Sequence, residues 1–405
     1  MTKQDTHKAL MSERGAAPST TGPGAPIGVL EVVLLALAVG AGLALRSWHL
    51  GDTGLTHFDE GVYAFTGLGT ADPSQPRRFF PEQQKFSPPV YFSLVALANL
   101  LGLQPERSPF VVNVVMGTLT IPVVWALARR WFGPVAAAAT AWLIALSEFH
   151  VLMSRSALTD VTFALAFLVA LGGVLVALER GTRGSAVLAG VLVGIAWNTK
   201  YHGWFALVVG AMVIVARWRI QHADNAWLRQ AIRQWLVMSV VAGLCYLPWM
   251  LYIQSQAAGS SGWAAYFATM LGLDWFGNFW RQVQQQAYLE GPWSRASIPL
   301  AIAAAQLVAL RTATSFPAWL LPVGCVAALL VGSAGSAVAL ALLALWRSWQ
   351  RGMDGASWLL GGVVLLWFVM APIYHPYFRL LLPFTLTMCV LAGSGLARLE
   401  VPAPR

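Results

Sequence analysis

Five short polar segments interrupt an otherwise apolar chain, and they hold most of the side chains able to do chemistry. The first reads Thr56-His57-Phe58-Asp59-Glu60-Gly61-Val62-Tyr63. Adjacent carboxylates at the edge of an apolar region suit general-base work, taking the proton of a hydroxyl while its oxygen attacks carbon. Partial burial would raise the pKa of such a carboxylate, and a nearby cation would lower it. Equally, Asp59 or Glu60 can begin a surface helix as its cap. The second segment, Lys85-Phe86-Ser87-Pro88-Pro89-Val90-Tyr91, places a lysine before two prolines that fix an extended lead into a helix. Lys85 at headgroup level either meets a lipid phosphate or faces headgroups without a specific partner.

The third segment, Ser154-Arg155-Ser156-Ala157-Leu158-Thr159-Asp160, sets Arg155 and Asp160 five residues apart. They can pair with each other. Alternatively Asp160 faces the first-segment carboxylates and Arg155 faces an anion. The fourth is the turn Asn198-Thr199-Lys200-Tyr201-His202, where a lysine just below a membrane surface is costly and marks a functional site unless it snorkels. The fifth, Tyr374-His375-Pro376-Tyr377-Phe378-Arg379, carries a permanent cation whose planar fork matches phosphate. Its Tyr374 and Tyr377 also suit an interfacial aromatic belt.

Glu148 and His150 precede the third segment, and with His57 and His202 they offer potential metal ligands. Their spacing matches no metal signature. No metal or other cofactor is required by the sequence, although a divalent ion is left open by these four residues. No phosphate loop, dinucleotide fingerprint, zincin motif or nucleophile elbow is present. Cys245, Cys325 and Cys389 are isolated and give no disulfide framework.

The elements that must position these segments follow from composition. Of 405 residues, 57% are hydrophobic and 11% charged, and the mean hydropathy is +0.62. Soluble domains are roughly 25% charged. A soluble enzyme, a disordered chain and an outer-membrane barrel are therefore excluded, because the apolar runs are long and continuous rather than alternating. The expected fold is an all-α polytopic membrane protein with about ten transmembrane helices. The net charge of +9 fits basic cytoplasmic loops.

Candidate spans are 28–47, 108–128, 134–153, 161–178, 184–199, 203–217, 235–253, 318–346, 356–373 and 379–398. Runs 88–102 and 298–311 are short and read as interfacial helices. With a cytoplasmic N-terminus, the basic pairs Arg129/Arg130, Arg180/Arg183 and Arg347/Arg351 all fall in short inner loops, as the positive-inside rule asks. Both termini are then cytoplasmic, and all five polar segments face outward across a plasma (inner) membrane. The division is a disordered tail 1–27, a membrane module 28–253 with outer loop 48–107, an outer loop 254–317 with an interfacial helix, C-terminal helices 318–398 and a tail 399–405. No cleavable leader or internal repeat is evident. Trp263, Trp275, Trp280 and Trp293 in the second outer loop suit a carbohydrate- or lipid-facing lid.

The order of these pieces resembles the GT-C superfamily of membrane glycosyltransferases. It is most similar to the branch of dolichyl-phosphate-mannose protein mannosyltransferases and aminoarabinose lipid A transferases. The resemblance covers about residues 28–398. It rests on HFDEGVY after the first span, KFSPPVYF, ARRWFG, RSALTD, NTKYHG and HPYFRLLLP, in that order. It implies a polyprenyl-phosphate-linked sugar donor and catalysis by Asp59, with Glu60 and Asp160 at the other acidic positions. Lys85, Lys200 and Arg379 would hold the donor phosphate, joined by Arg155. His57, Tyr63, Tyr201, His202, His375 and Tyr377 would complete the site. The chain lacks the sizeable C-terminal soluble domain of the family's larger members.

The resemblance thus implies inverting transfer of a sugar to an acceptor hydroxyl on the outer face. The acceptor would be a glycan, lipid or protein, with no part for nucleic acid. A lipid-linked-sugar transporter or flippase, or a non-catalytic scaffold of glycan assembly, would explain the spans equally well.

Overall fold

The computed structural model describes residues 26–72, 74, 87–256, 275–288, 290–311, 314–315, 317, 319–370, 373, 377–399 and 401–402. Lys85, Trp263, Tyr374 and His375 lie outside them. Apolar runs in lipid must satisfy their own backbone groups, so nearly every described residue is helical.

The chain opens with α1 (Val29–Ser47), whose first turn is closed by Glu31 accepting from the Gly28 amide at 3.0 Å. Two short helices follow, α2 (Phe58–Ala71) and α3 (Pro89–Leu100), packed on each other. Pro88 and Pro89 start α3 where a missing N–H costs nothing. Next come α4 (Ser108–Phe132), α5 (Pro134–Ala145), α6 (Glu148–Ser154), α7 (Asp160–Arg180), α8 (Arg183–Trp197), α9 (Phe205–Arg219) and α10 (Asn225–Gln256). The C-terminal part holds α11 (Trp275–Tyr288), α12 (Pro292–Arg311), α13 (Leu320–Leu330), α14 (Gly332–Arg351), α15 (Gly355–Met370) and α16 (Leu382–Ala397).

Among the described residues, seven helices are long and apolar enough to cross a membrane, or eight if the bent pair α5–α6 is one span. Four further apolar helices are shorter: α3, α8, α13 and α15. The protein is a polytopic all-α membrane protein. Its core is built on α5 and α7, where the Ala136–Ala139 run brings backbones close and Phe163, Phe167, Leu168, Leu171 and Leu175 are fully buried.

Two expected elements differ. Residues 298–311 are not a short interfacial helix but the end of α12, 20 residues long and apolar enough to cross. Its start reads as polar because Ser294 and Ser297 are there, yet both are buried against neighbouring helices. The run 318–346 is two helices rather than one. The chain turns at Gly332, whose φ of 78° suits glycine alone, and α14 returns beside α13.

The helix ends sort into two groups. At one end Arg129 pairs with Glu31 at 2.8 Å, and Arg398 lies 3.6 Å from Asp354. There Thr314–Ser315 also forms a two-residue antiparallel bridge with Val401–Pro402. The other end gathers the polar segments.

Candidate active site

Asp59 owes its position to the capping of α2. His57 is the N-cap, and its Nδ1 accepts from the Asp59 amide at 3.1 Å. Glu60 closes the box: its Oε2 accepts from the amides of Thr56 and His57 at 2.8 and 2.9 Å. The other oxygen, Oε1, accepts from the Ala157 amide at 2.8 Å. Glu60 is 4% exposed. Both of its oxygens are engaged by backbone amides, so it joins the first polar segment to the third. Asp59, one residue earlier, has a side chain 30% exposed.

Asp160 begins α7, where a buried carboxylate is favoured by the helix dipole. The loop before it is clamped by Asn113, whose Nδ2 donates to the carbonyls of Ser156 and Leu158 at 2.5 and 2.6 Å. The Thr162 hydroxyl donates in turn to Asn113 Oδ1 at 3.3 Å. Asp160 pairs with the Lys200 ammonium, not with Arg155. Lys200 hangs on the turn between α8 and α9, which folds back tightly because Gly203 lies against the Ala196 backbone where a Cβ would clash.

Arg379 sits in a single helical turn, Phe378–Leu381, just ahead of α16. Its Nη2 donates to Asp59 Oδ2 at 2.7 Å, and its guanidinium lies 5.0 Å from the Tyr377 ring centre. The two ion pairs feel each other: Arg379 interacts electrostatically with Asp160 as well as Asp59, and Lys200 with Asp59 as well as Asp160. Two cations and two carboxylates thus form one neutral group. Burial pushes the Lys200 ammonium down from its ordinary value, with Asp160 opposing. Burial, aided by the Asp59 charge, pushes the Tyr63 phenol up from its ordinary value.

The remaining expected residues divide. Tyr63 packs edge-on against Tyr91 at 5.5 Å. Tyr201 joins the cluster of Phe92, Trp249 and Ile253. His202 is enclosed by Phe163, Phe205 and Trp367, with ring centres 4.5 to 6.1 Å away. Arg155 Nη1 caps the end of α1, donating to the carbonyls of Leu45, Arg46 and Trp48. The four suggested metal ligands are dispersed. Glu148 accepts from the amides of Gly291 and Trp293 at the start of α12, His150 contacts Arg46, His57 caps α2 and His202 lies in its aromatic cage. Among the described residues no group of three His, Cys, Asp or Glu side chains is placed to hold a metal. In α11, Trp275 stacks on Phe279 at 5.4 Å, and the helix packs over the Phe378–Leu381 turn.

Two supporting residues lie outside the set expected from the sequence. Asn113 looks like any polar residue in an apolar helix. Arg46 is fully buried, a guanidinium inside an apolar run, and that cost is the signal that marks it. It donates to the carbonyls of Ile144 and Ala145, to Ser154 and to His150 Nδ1. Those carbonyls end α5, where the α5–α6 pair bends by 60°. The guanidinium supplies the donors that a continuous helix would have given them.

Comparisons with known proteins bear on the fold. A family model described as dolichyl-phosphate-mannose-protein mannosyltransferase matches residues 87–252. Among solved structures, the fold matches ArnT from Cupriavidus metallidurans bound to undecaprenyl phosphate. There the TM-score is 0.57 at 19% identity, over 90% of this chain and 59% of that one. It also matches the archaeal oligosaccharyltransferase AglB from Archaeoglobus fulgidus in complex with an inhibitory peptide and a dolichol-phosphate. That TM-score is 0.58 at 16% identity, over 91% of this chain and 50% of that one. No curated protein matches in sequence. The chain spans about three fifths of the length of ArnT and half that of AglB. The fold is that of the GT-C membrane glycosyltransferases, the superfamily its motifs resemble.

Proposed function

We propose that this protein transfers a sugar from a polyprenyl-phosphate-linked donor to an acceptor hydroxyl, with inversion, on the outer face of the plasma membrane. The observation that carries the reading is the neutral group of Asp59, Asp160, Lys200 and Arg379, drawn from four distant segments to one end of the helices. The undecaprenyl phosphate in ArnT and the dolichol-phosphate in AglB support a lipid phosphate as its ligand. The acceptor is a glycan, lipid or protein.

Asp59 takes the acceptor proton while the hydroxyl oxygen bonds to the anomeric carbon. The bond from that carbon to the phosphate oxygen breaks, and the electron pair leaves with the lipid phosphate. Lys200 and Arg379 stabilise the charge that develops there. A single displacement inverts the anomeric centre. Tyr63 and Tyr377 line the approach, and α11 with Trp275 covers it. The reading has both termini in the cytoplasm, supported by the basic helix ends at Arg129 and Arg398 opposite the site.

The test is purified protein in liposomes, given radiolabelled polyprenyl-phosphate sugar and extracted envelope acceptors. Wild type moves label to acceptor. Asp59→Asn binds the lipid phosphate and transfers nothing. Transfer by Asp59→Asn at the wild-type rate, or label crossing the bilayer without transfer, overturns the reading.

A further inference from the structure

A cavity of about 70 Å³ lies apart from the charged group, among α5, α12, α14 and α16. Since a water needs roughly 10–15 Å³ of such space, it takes about five waters or one small ring. Ser147 and Phe149, at the break between α5 and α6, form one side of it. Its polar groups are hydroxyls and a single carboxylate, an unusual lining for an apolar bundle.

The hydrogen bonds of these groups leave capacity for an occupant. Ser294 is 4% exposed, and its Oγ accepts from the Glu148 amide at 2.9 Å. Ser147 Oγ accepts from the His150 amide at 3.4 Å. Among the described residues neither hydroxyl donates, so each has a proton to give. Ser297 and Thr385 do the reverse. They donate to the carbonyls of Ser294 and Leu381 at 2.6 and 3.0 Å and keep lone pairs for a donor. Half-buried Glu290 caps α14, accepting from the Ser333 amide and hydroxyl at 2.9 and 3.3 Å and from the Ala334 amide. None of the described lining residues is basic. A phosphate therefore finds no cation here, and an ammonium finds a carboxylate already engaged by three donors. Donors and acceptors set between the rings of Phe149 and Phe384 match a neutral ring with hydroxyls on its edge and C–H groups on its faces.

The cavity backs onto the turn that carries Arg379. The Phe149 ring lies 5.8 Å from that of Phe378, the residue before Arg379, and Thr385 bonds the Leu381 carbonyl of the same turn. One short turn thus has the hydroxyl-lined cavity on one side and the Asp59–Arg379 pair on the other.

We infer that this cavity binds a neutral sugar unit of a glycan acceptor, separate from the unit whose hydroxyl reacts. The inference rests on the proposed function and narrows its acceptor to a glycan.

The test begins with binding. Neutral oligosaccharides released from the envelope extract are tagged with a fluorophore and passed over the full chain immobilised in detergent. Wild type and Asp59→Asn should retain the same neutral glycan, since the cavity is apart from the charged group. Ala337 lines the cavity at 8% exposure, so Ala337→Leu fills it and should retain about tenfold less. Ser297→Ala removes one acceptor and should retain about three- to tenfold less. Its hydroxyl otherwise meets only a carbonyl of its own helix, so its unfolding temperature should stay near wild type, and it decides the matter if Ala337→Leu folds poorly. No retention by wild type, or equal retention by both variants, overturns the inference and leaves the cavity to water. Preferential retention of acidic glycans overturns it too. In liposomes, Ala337→Leu should raise KM for the glycan acceptor about tenfold and leave KM for the lipid-linked donor unchanged, whereas an equal rise in both marks a structural effect and overturns it. Transfer with acceptor KM unchanged in both variants would remove the cavity and keep the transferase. Glycan retention lost in the variants, without transfer by wild type, would keep the cavity as a sugar site and remove the transferase.

Discussion

Arg379 donates to Asp59 at 2.7 Å although 320 residues separate them in the chain. The contact joins the first polar segment to the turn before the last helix, so the site closes only when both ends of the chain have packed. It also sets the resting state. A carboxylate held by a guanidinium is a poor base, and a guanidinium held by a carboxylate is already partly satisfied. In the proposed reaction an arriving phosphate would compete for Arg379 and Lys200 together and leave both carboxylates less compensated, which would prepare Asp59 for the acceptor proton.

Removing Arg379 should therefore affect chemistry more than folding. Arg379→Ala is expected to lower kcat by about 10²–10³, the usual loss for one charge-stabilising donor. Arg379→Lys keeps the charge and loses the planar fork, so it should fall between. Steady-state transfer in liposomes measures both. Equal rates for Ala and wild type would remove Arg379 from the site.

Lys200 and Asp160 make a different case, because Asp160 is only 3% exposed. Lys200→Met leaves that carboxylate buried and unpaired, which should cost about 3–5 kcal/mol. The double variant Lys200→Met/Asp160→Asn should recover most of the stability and none of the activity. Thermal unfolding in detergent, read as a double-mutant cycle, checks the coupling. Additive losses would mean the two side chains do not depend on each other.

Much of this site is legible in the sequence because charge is rare in this chain. Asp59, Asp160, Lys200 and Arg379 each stand at the edge of an apolar run, and each is conspicuous there. Their pairing is not legible, since it depends on contacts 40 and 320 residues apart. Residue type alone does not separate Asp59 from Glu60 for a related reason, and only the resemblance singles out Asp59. They are neighbours of the same type, and only the capping geometry of α2 turns one outward and the other onto backbone amides. The helices show the same limit. Hydropathy finds the long runs but cuts α12 short at Ser294 and Ser297, whose burial it cannot see, and reads through the turn at Gly332.

Glu60 gives the third prediction. Glu60→Ala removes the reciprocal half of the α2 capping box and the link to Ala157, and should destabilise the protein by about 1–3 kcal/mol. Asp59→Asn should leave thermal stability near wild type while abolishing transfer. The opposite pattern, with Glu60→Ala stable and inactive, would return Glu60 to the chemistry.

Arg46 should behave as a structural residue even though it is charged and near the site. Its guanidinium answers the carbonyls of Ile144 and Ala145 at the break between α5 and α6, and it holds Ser154 at the start of the third segment. Arg46→Met keeps the bulk and removes every donor, leaving buried carbonyls at about 1–3 kcal/mol each. Less folded protein should be recovered, with a lower unfolding temperature. Because Arg46 touches none of Asp59, Lys200 or Arg379, the folded fraction isolated by size exclusion should keep a kcat within about twofold of wild type, well short of the 10²-fold loss of a group stabilising charge in the reaction. A folded, stable Arg46→Met with a hundredfold lower kcat would instead place this buried cation in the catalytic field.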